Sequence, residues 1–245
     1  MKRIALIFAA AMLLSVGLWS CEKDGDSNTS ASAGGDNGGG GNGGVQTPDG
    51  WVDLGLPSGL LWAECNVGAG SPEEEGDYYA WGETEPKSDY SVGTYHYTNG
   101  DFDQLTKYCN ASNYGYRGFT DNLTTLQPGD DAATANLDGD ARTPTLSEWQ
   151  ELIDNTGSTW TTQNGVYGRK LTATNGDSLF LPAVGGRAGA ELISAGSDGY
   201  YWSSSLHTDD PNYAAVFYFS SGVLRTGKIA RALGLPVRAV RSPQK

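Results

Sequence analysis

Apolar positions along this 245-residue chain fall into three regimes. Behind Met1-Lys2-Arg3, the run Ile4 to Leu18 is apolar for 15 residues, short of the roughly 20 that a helix needs to cross a bilayer. Charged head, apolar middle and a small residue at Ser20 predict a signal peptide over residues 1–20. From about Gly25 to Thr47 the chain is almost entirely Gly, Ser, Asn, Asp and Ala, which cannot bury a core. Residues 21–47 therefore read as a flexible linker with a reach of about 25–30 Å. From residue 48 to 245, short aromatic-rich runs alternate with Gly and Pro turns over a length normal for one domain with its own core.

Within that domain, Trp51 to Ala63 reads as two short strands around the Pro57-Ser58-Gly59 turn. Tyr78 to Gly82 and Tyr90 to Tyr97 read as short aromatic strands or tight loops. Carboxylates Asp130 and Asp131 stand before Ala132 to Asn136, where the positive end of a short helix would be. A clearer helix starts at Thr145, with Glu148 three residues on to complete a capping box and Trp149, Leu152 and Ile153 as an apolar stripe; it ends near Asn155-Thr156-Gly157. Ser178 to Ala183, Gly199 to Ser204, Ala214 to Phe219 and Val237 to Val240 predict further short strands. Alternation puts Ala215, Phe217 and Phe219 on one face and Ala214, Val216 and Tyr218 on the other, with either face free to be the wet one. Two helices among short strands make an α+β domain rich in loops.

The cut site adds chemistry. Leu18 and Ser20 before Cys21 meet the aliphatic and small requirements of a bacterial lipobox, with Trp19 a bulky departure at a tolerant position. Cys21 is thus the predicted lipidation site, and several acyl chains at about 0.8 kcal/mol per methylene make a firm membrane anchor. The following Glu22-Lys23-Asp24-Gly25-Asp26 resembles the acidic stretch that sends Bacteroidetes-type lipoproteins to the outer face of the outer membrane. In an oxidising compartment the remaining Cys65 and Cys109 either pair or are simply buried; a bridge would be worth about 4 kcal/mol in the chain-entropy model.

Net charge is −13, unevenly spread: Asp49 to Gly199 carries 23 acidic against 7 basic residues, Tyr200 to Lys245 only 2 against 6. Such a chain is a poor partner for nucleic acid. Arg231, Arg238 and Arg241 in the basic tail are expected to pair with the domain's own carboxylates.

Several stretches together resemble the Fibrobacter succinogenes major paralogous domain family: Trp51 to Gly59, Tyr79 to Glu85, Asp130 to Ala133, Arg142 to Thr145 with Glu148-Trp149, Tyr201 to Ser205, and Val237-Arg238. The resemblance spans nearly the whole domain. It implies a C-type lectin-like fold, akin to the formylglycine-generating enzyme, in which the capped helix packs beside a small irregular sheet. Ala141 departs from it, standing where the family usually has an aromatic residue. The C-terminal segment departs further, with mixed residues where the family is rich in Tyr and Gly. These are His207, Asp210, Ala215, Phe217, Arg225, Thr226, Lys228, Ile229, Ala232 and Leu233. The segment resembles the variable end of lectin-fold proteins diversified by retroelements, which makes these ten positions candidate ligand contacts; ordinary divergence of a paralogue is the alternative.

Catalysis finds little support. The formylglycine-generating enzyme relies on a cysteine pair late in the domain, and this chain has no cysteine after Cys109. Neither His96 nor His207 sits in a nucleophile motif, and Ser203-Ser204-Ser205 reads as a hydrogen-bonded strand end. No cofactor is indicated; calcium is an option at Asp138 and Asp140, Asp130 and Asp131, or Glu83 and Glu85, although no complete loop pattern is present. Sugar-stacking aromatic candidates are Tyr200, Tyr201, Trp202, Tyr213, Phe217 and Tyr218, with Trp202 better read as core. The expected function is a surface-displayed binding module whose C-terminal loops contact a protein or glycan ligand, or a less selective structural or adhesive component; the enzyme is the remotest reading.

Overall fold

A computed structural model describes residues 49–243. The predicted signal peptide, Cys21 and the linker lie outside the described residues. Strand β1 (Trp51–Asp53) pairs antiparallel with β2 (Leu61–Asn66), as the turn between them predicts. The last strand, β11 (Arg238–Arg241), adds to the other edge of β2, so the two ends of the domain close in one sheet.

Between β2 and the first helix the chain runs through loops and short 3-10 turns. The aromatic stretches predicted there as strands or tight loops are loops, pinned by single bridges such as Tyr79 to Leu235 and Tyr90 to Gly189. Helix α1 (Ala132–Asn136) follows, its first turn capped by Asp131, which accepts from the backbone of Ala133 and Thr134. Helix α2 (Leu146–Asn155) carries the predicted capping box. Glu148 accepts from the Thr145 amide at 2.7 Å and also takes a two-pronged contact from Arg142, at 2.8 and 2.6 Å. That motif thus serves one purpose, closing the orphan amides at the start of α2.

Three antiparallel sheets follow: β3 (Thr156–Gln163), β4 (Val166–Ala173) and β5 (Ser178–Pro182); the small hairpin β6 (Gly186–Ala188) and β7 (Glu191–Ile193); and β8 (Gly199–Leu206), β9 (Tyr213–Phe219) and β10 (Leu224–Ala230). Where the helix was expected to give way to an unassigned stretch, the β3–β4 hairpin begins. Its turn is Asn164-Gly165, with φ of 48° and 83°, the left-handed pair that a two-residue hairpin turn needs.

The β8–β9–β10 sheet divides the interior. Phe217, Phe219 and Tyr201 enter one apolar cluster with Trp62, Trp149, Leu152 and Leu181. Ala214, Val216 and Trp202 enter a second with Trp81, Tyr108 and Val237. Helix α2 docks on the first face, where the Trp149 ring stacks on Phe217 at 4.5 Å and 14°. Three buried indoles are tied to backbone carbonyls: Trp149 donates to Trp202 at 3.1 Å, Trp202 to Tyr79 at 2.7 Å and Trp81 to Ser203 at 2.8 Å. Each large ring therefore brings apolar area into the core without stranding its N–H, and the irregular loops are held to the β8 strand.

Candidate functional site

Cross-strand register builds one groove on the C-terminal sheet. Tyr200 on β8 faces Tyr218 on β9, and Tyr218 faces Arg225 on β10, so the three form a row across the sheet. The adjoining row is Trp202, Val216 and Gly227. Side chains two residues apart on a strand lie about 7 Å from one another on the same face. Because Gly227 has no side chain, the second row sinks between the first row and Ile229, and Val216 becomes the floor. The resulting open groove holds about 420 Å³.

Its aromatic wall is firmly set. The Tyr200 and Tyr218 rings lie 5.0 Å apart at 33°, and the Arg225 guanidinium sits over the Tyr218 ring, 5.5 Å from its centroid. Tyr218 donates its hydroxyl to Asp198 at 3.0 Å. Burial, reinforced by Asp198, pushes the Tyr200 hydroxyl up to about 12 and the Tyr218 hydroxyl upward as well, so both remain protonated donors at neutral pH. Buried Arg169 on β4 fixes the β9–β10 turn, donating to the carbonyls of Ser220, Ser221 and Val223, with its closest contact 2.7 Å to Ser220. It thereby holds the ends of the strands that carry Tyr218 and Arg225.

The ten predicted contact positions separate. Arg225 and Ile229 line the groove, with Lys228 at its rim. Strand alternation turns Thr226 and Lys228 to the other face, where Thr226 approaches Gln150 of α2 and the Lys228 ammonium lies 5.2 Å over the Tyr213 ring. His207 and Asp210 sit half-buried in the β8–β9 loop, and Leu233 is half-buried after β10. Ala215, Phe217 and Ala232 are corrections: they are 2%, 0% and 5% exposed and belong to the core. The first two point under α2, and Ala232 packs against Tyr78, Tyr90 and Tyr95, so none can meet a ligand without unfolding. Val216 and Gly227 were missed as groove residues; the signal was a glycine in mid-strand with alternating neighbours, a pattern of close approach or open space.

The basic tail also needs correction. Arg231, Arg238 and Arg241 are buried and form no ion pair among the described residues. Arg231 donates to Tyr95 Oη at 2.9 Å and to the carbonyls of Tyr108, Pro211 and Lys107 at 2.8, 2.8 and 3.0 Å. Arg238 donates to Asn66 Oδ1 and to the carbonyls of Ala63 and Glu64, and Arg241 lies 4.3 Å over Trp51. Carbonyl dipoles and aromatic faces, which suit a planar, weakly hydrated cation, take the role expected of carboxylates.

Cys65 and Cys109 are free thiols, so the bridge drops out in favour of burial. They occupy separate surroundings: Cys65 lies on β2 near Arg238 and Glu64, whereas Cys109 is buried near Arg231 and donates to Ala111 at 3.2 Å. Burial raises both thiols above their ordinary value, which keeps them protonated and unreactive.

Among the described residues no group of three or more His, Cys, Asp or Glu side chains is placed to hold a metal. The carboxylates named for calcium have other partners where they are buried. Asp131 caps α1 and receives the Thr143 amide and hydroxyl. Asp130, expected at the helix start as well, instead binds Lys107 at 2.5 Å and Tyr97 at 2.7 Å and accepts from Tyr108. Burial alone would raise the Asp130 carboxyl, but these donors outweigh it and hold it below its ordinary value. Glu83 pairs with Lys87 at 2.7 Å, while Glu85, Asp138 and Asp140 are exposed. His96 meets the edge of Tyr97, and neither histidine side chain bonds a serine or cysteine among the described residues.

Comparison with family models, with curated proteins and with solved structures gives no match.

Proposed function

We propose that this chain is a lipid-anchored binding module of the outer membrane, displayed at the cell surface, with a C-type lectin-like domain whose β8–β10 groove captures a glycan. The observation that carries the reading is the Tyr200–Tyr218–Arg225 row beside the open floor left by Gly227. Aromatic faces cover the apolar side of a sugar ring, and polar groups at the groove's margin orient its hydroxyls. The lectin-like assignment draws support from the capped α2 packed beside a small antiparallel sheet, the arrangement that the motif resemblance implies. The membrane and surface assignments rest on Leu18 to Cys21 and the acidic residues that follow.

A glycan array probed with the mature chain carrying Cys21→Ser tests the binding reading. Gly227→Val fills the groove at a position where an added Cβ meets only Val216, at 3.9 Å, so it should abolish capture and leave the melting temperature unchanged. Undiminished capture by the filled variant would sink the groove assignment. Incorporation of an alkyne-tagged fatty acid into the natural chain but not into Cys21→Ala tests the anchor, and proteolysis of intact cells tests display.

A further inference from the structure

Four arginines, Arg117, Arg187, Arg225 and Arg241, lie over aromatic rings with no acceptor among the described residues, and of these four the exposed Arg225 is the one that lines the groove. Arg142 has Glu148, and Arg169, Arg231 and Arg238 have backbone carbonyls. Among the described residues Arg225 has neither an ion-pair partner nor a hydrogen-bond acceptor, in a chain of net charge −13 where carboxylates are plentiful. It nevertheless has a defined place over the Tyr218 ring, leaving the fork of its N–H groups open at the groove. A competing charge, Asp198, accepts from Tyr218 Oη at 3.0 Å and from Ser197 Oγ at 3.1 Å, at the hydroxyl tip of the ring rather than over its face. A guanidinium stacked on an aromatic ring and lacking an acceptor is matched by a planar two-oxygen anion.

Building on the glycan-capture reading, we infer that the groove selects an acidic saccharide. The carboxylate of a uronic acid residue pairs with Arg225, while an apolar face of the sugar lies on Tyr200 and along the edge of Tyr218, whose ring Arg225 covers. Arg225 supplies selectivity and the tyrosines supply contact area.

Titration calorimetry of the mature Cys21→Ser chain with tetragalacturonate and with the carboxyl-reduced neutral tetramer tests this. The acidic tetramer should bind roughly tenfold or more tightly than the neutral one, and Arg225→Gln should erase that difference without moving the melting temperature. Asp198→Asn should strengthen acidic binding, because it removes the nearby negative charge. Equal binding of both tetramers, or a preference unaffected by Arg225→Gln, overturns the acidic assignment while leaving glycan capture standing. Displacement by poly-glutamate as effective as by the uronate would mean that a carboxylate alone is read, and would overturn the saccharide. Binding of neither tetramer by a folded chain overturns the uronate assignment, whereas silence across the whole array overturns glycan capture itself.

Discussion

The guanidinium of Arg231 lies 5.1 Å from the centre of the Trp81 ring, fully buried, with no carboxylate paired to it among the described residues. Tyr95 and Tyr108 are within 6.0 Å of the same cation, and the carbonyls of Lys107, Tyr108 and Pro211 accept hydrogen bonds from it. A single residue from the end of β10 thus ties the long N-terminal loop to the β8–β9 loop.

Arg231→Lys is expected to destabilise the domain by about 3 kcal/mol, because a point-like ammonium cannot reach the same spread of acceptors and leaves buried carbonyls unpaired. Urea unfolding monitored by tryptophan fluorescence measures it. A loss under about 0.5 kcal/mol, the range of ordinary surface changes, would contradict the role assigned to the fork.

Acid should weaken the start of α2. Burial would raise the Glu148 carboxyl, but Arg142 and the Thr145 amide outweigh it and hold it below its ordinary value. A carboxyl that binds its proton less readily when folded stabilises the native state above its unfolded pKa of about 4.3. That contribution is lost as pH falls through the folded value. Stability plotted against pH should therefore decline below about pH 4.5, with Asp130 adding to the slope, and Arg142→Gln should flatten the decline. Thr145→Ala should cost about 1 kcal/mol at neutral pH.

The two faces of β9 should respond oppositely. Phe217→Ala opens a hole beneath Trp149 and is expected to cost about 3–5 kcal/mol. Tyr218→Ala should lower the melting temperature far less and diminish glycan capture. Differential scanning calorimetry beside the array separates the two, and a tolerated Phe217→Ala would mean that the face assignment is wrong.

Thiol titration distinguishes free cysteines from a bridge. The mature Cys21→Ser chain, never exposed to reductant, should release two thiols on denaturation with an aromatic disulfide reagent, and Cys109 should be silent while the domain is folded. Absence of reactive thiol in the denatured chain would restore the bridge.

Both helices were legible because their signals are local. Asp131 before α1 and Thr145 with Glu148 before α2 need only neighbours in sequence to satisfy backbone amides. The β3–β4 hairpin is equally local in its Asn164-Gly165 turn, but its first strand, rich in Thr, carries little apolar alternation to announce it. Ala215, Phe217 and Ala232 were misread because mixed chemistry in a segment says nothing of depth.

What the sequence determined by itself is therefore what neighbouring residues enforce: the capped helices and the β1–β2 turn. Tertiary structure decided which face of β9 lies under α2, which arginines are enclosed by carbonyls and rings, and that Arg225 lies at the groove with no acceptor among the described residues. Those outcomes depend on cross-strand register and on packing between residues far apart in sequence, such as Arg238 with Ala63 and Arg241 with Trp51. A period-two pattern offers both faces equally until another element covers one of them.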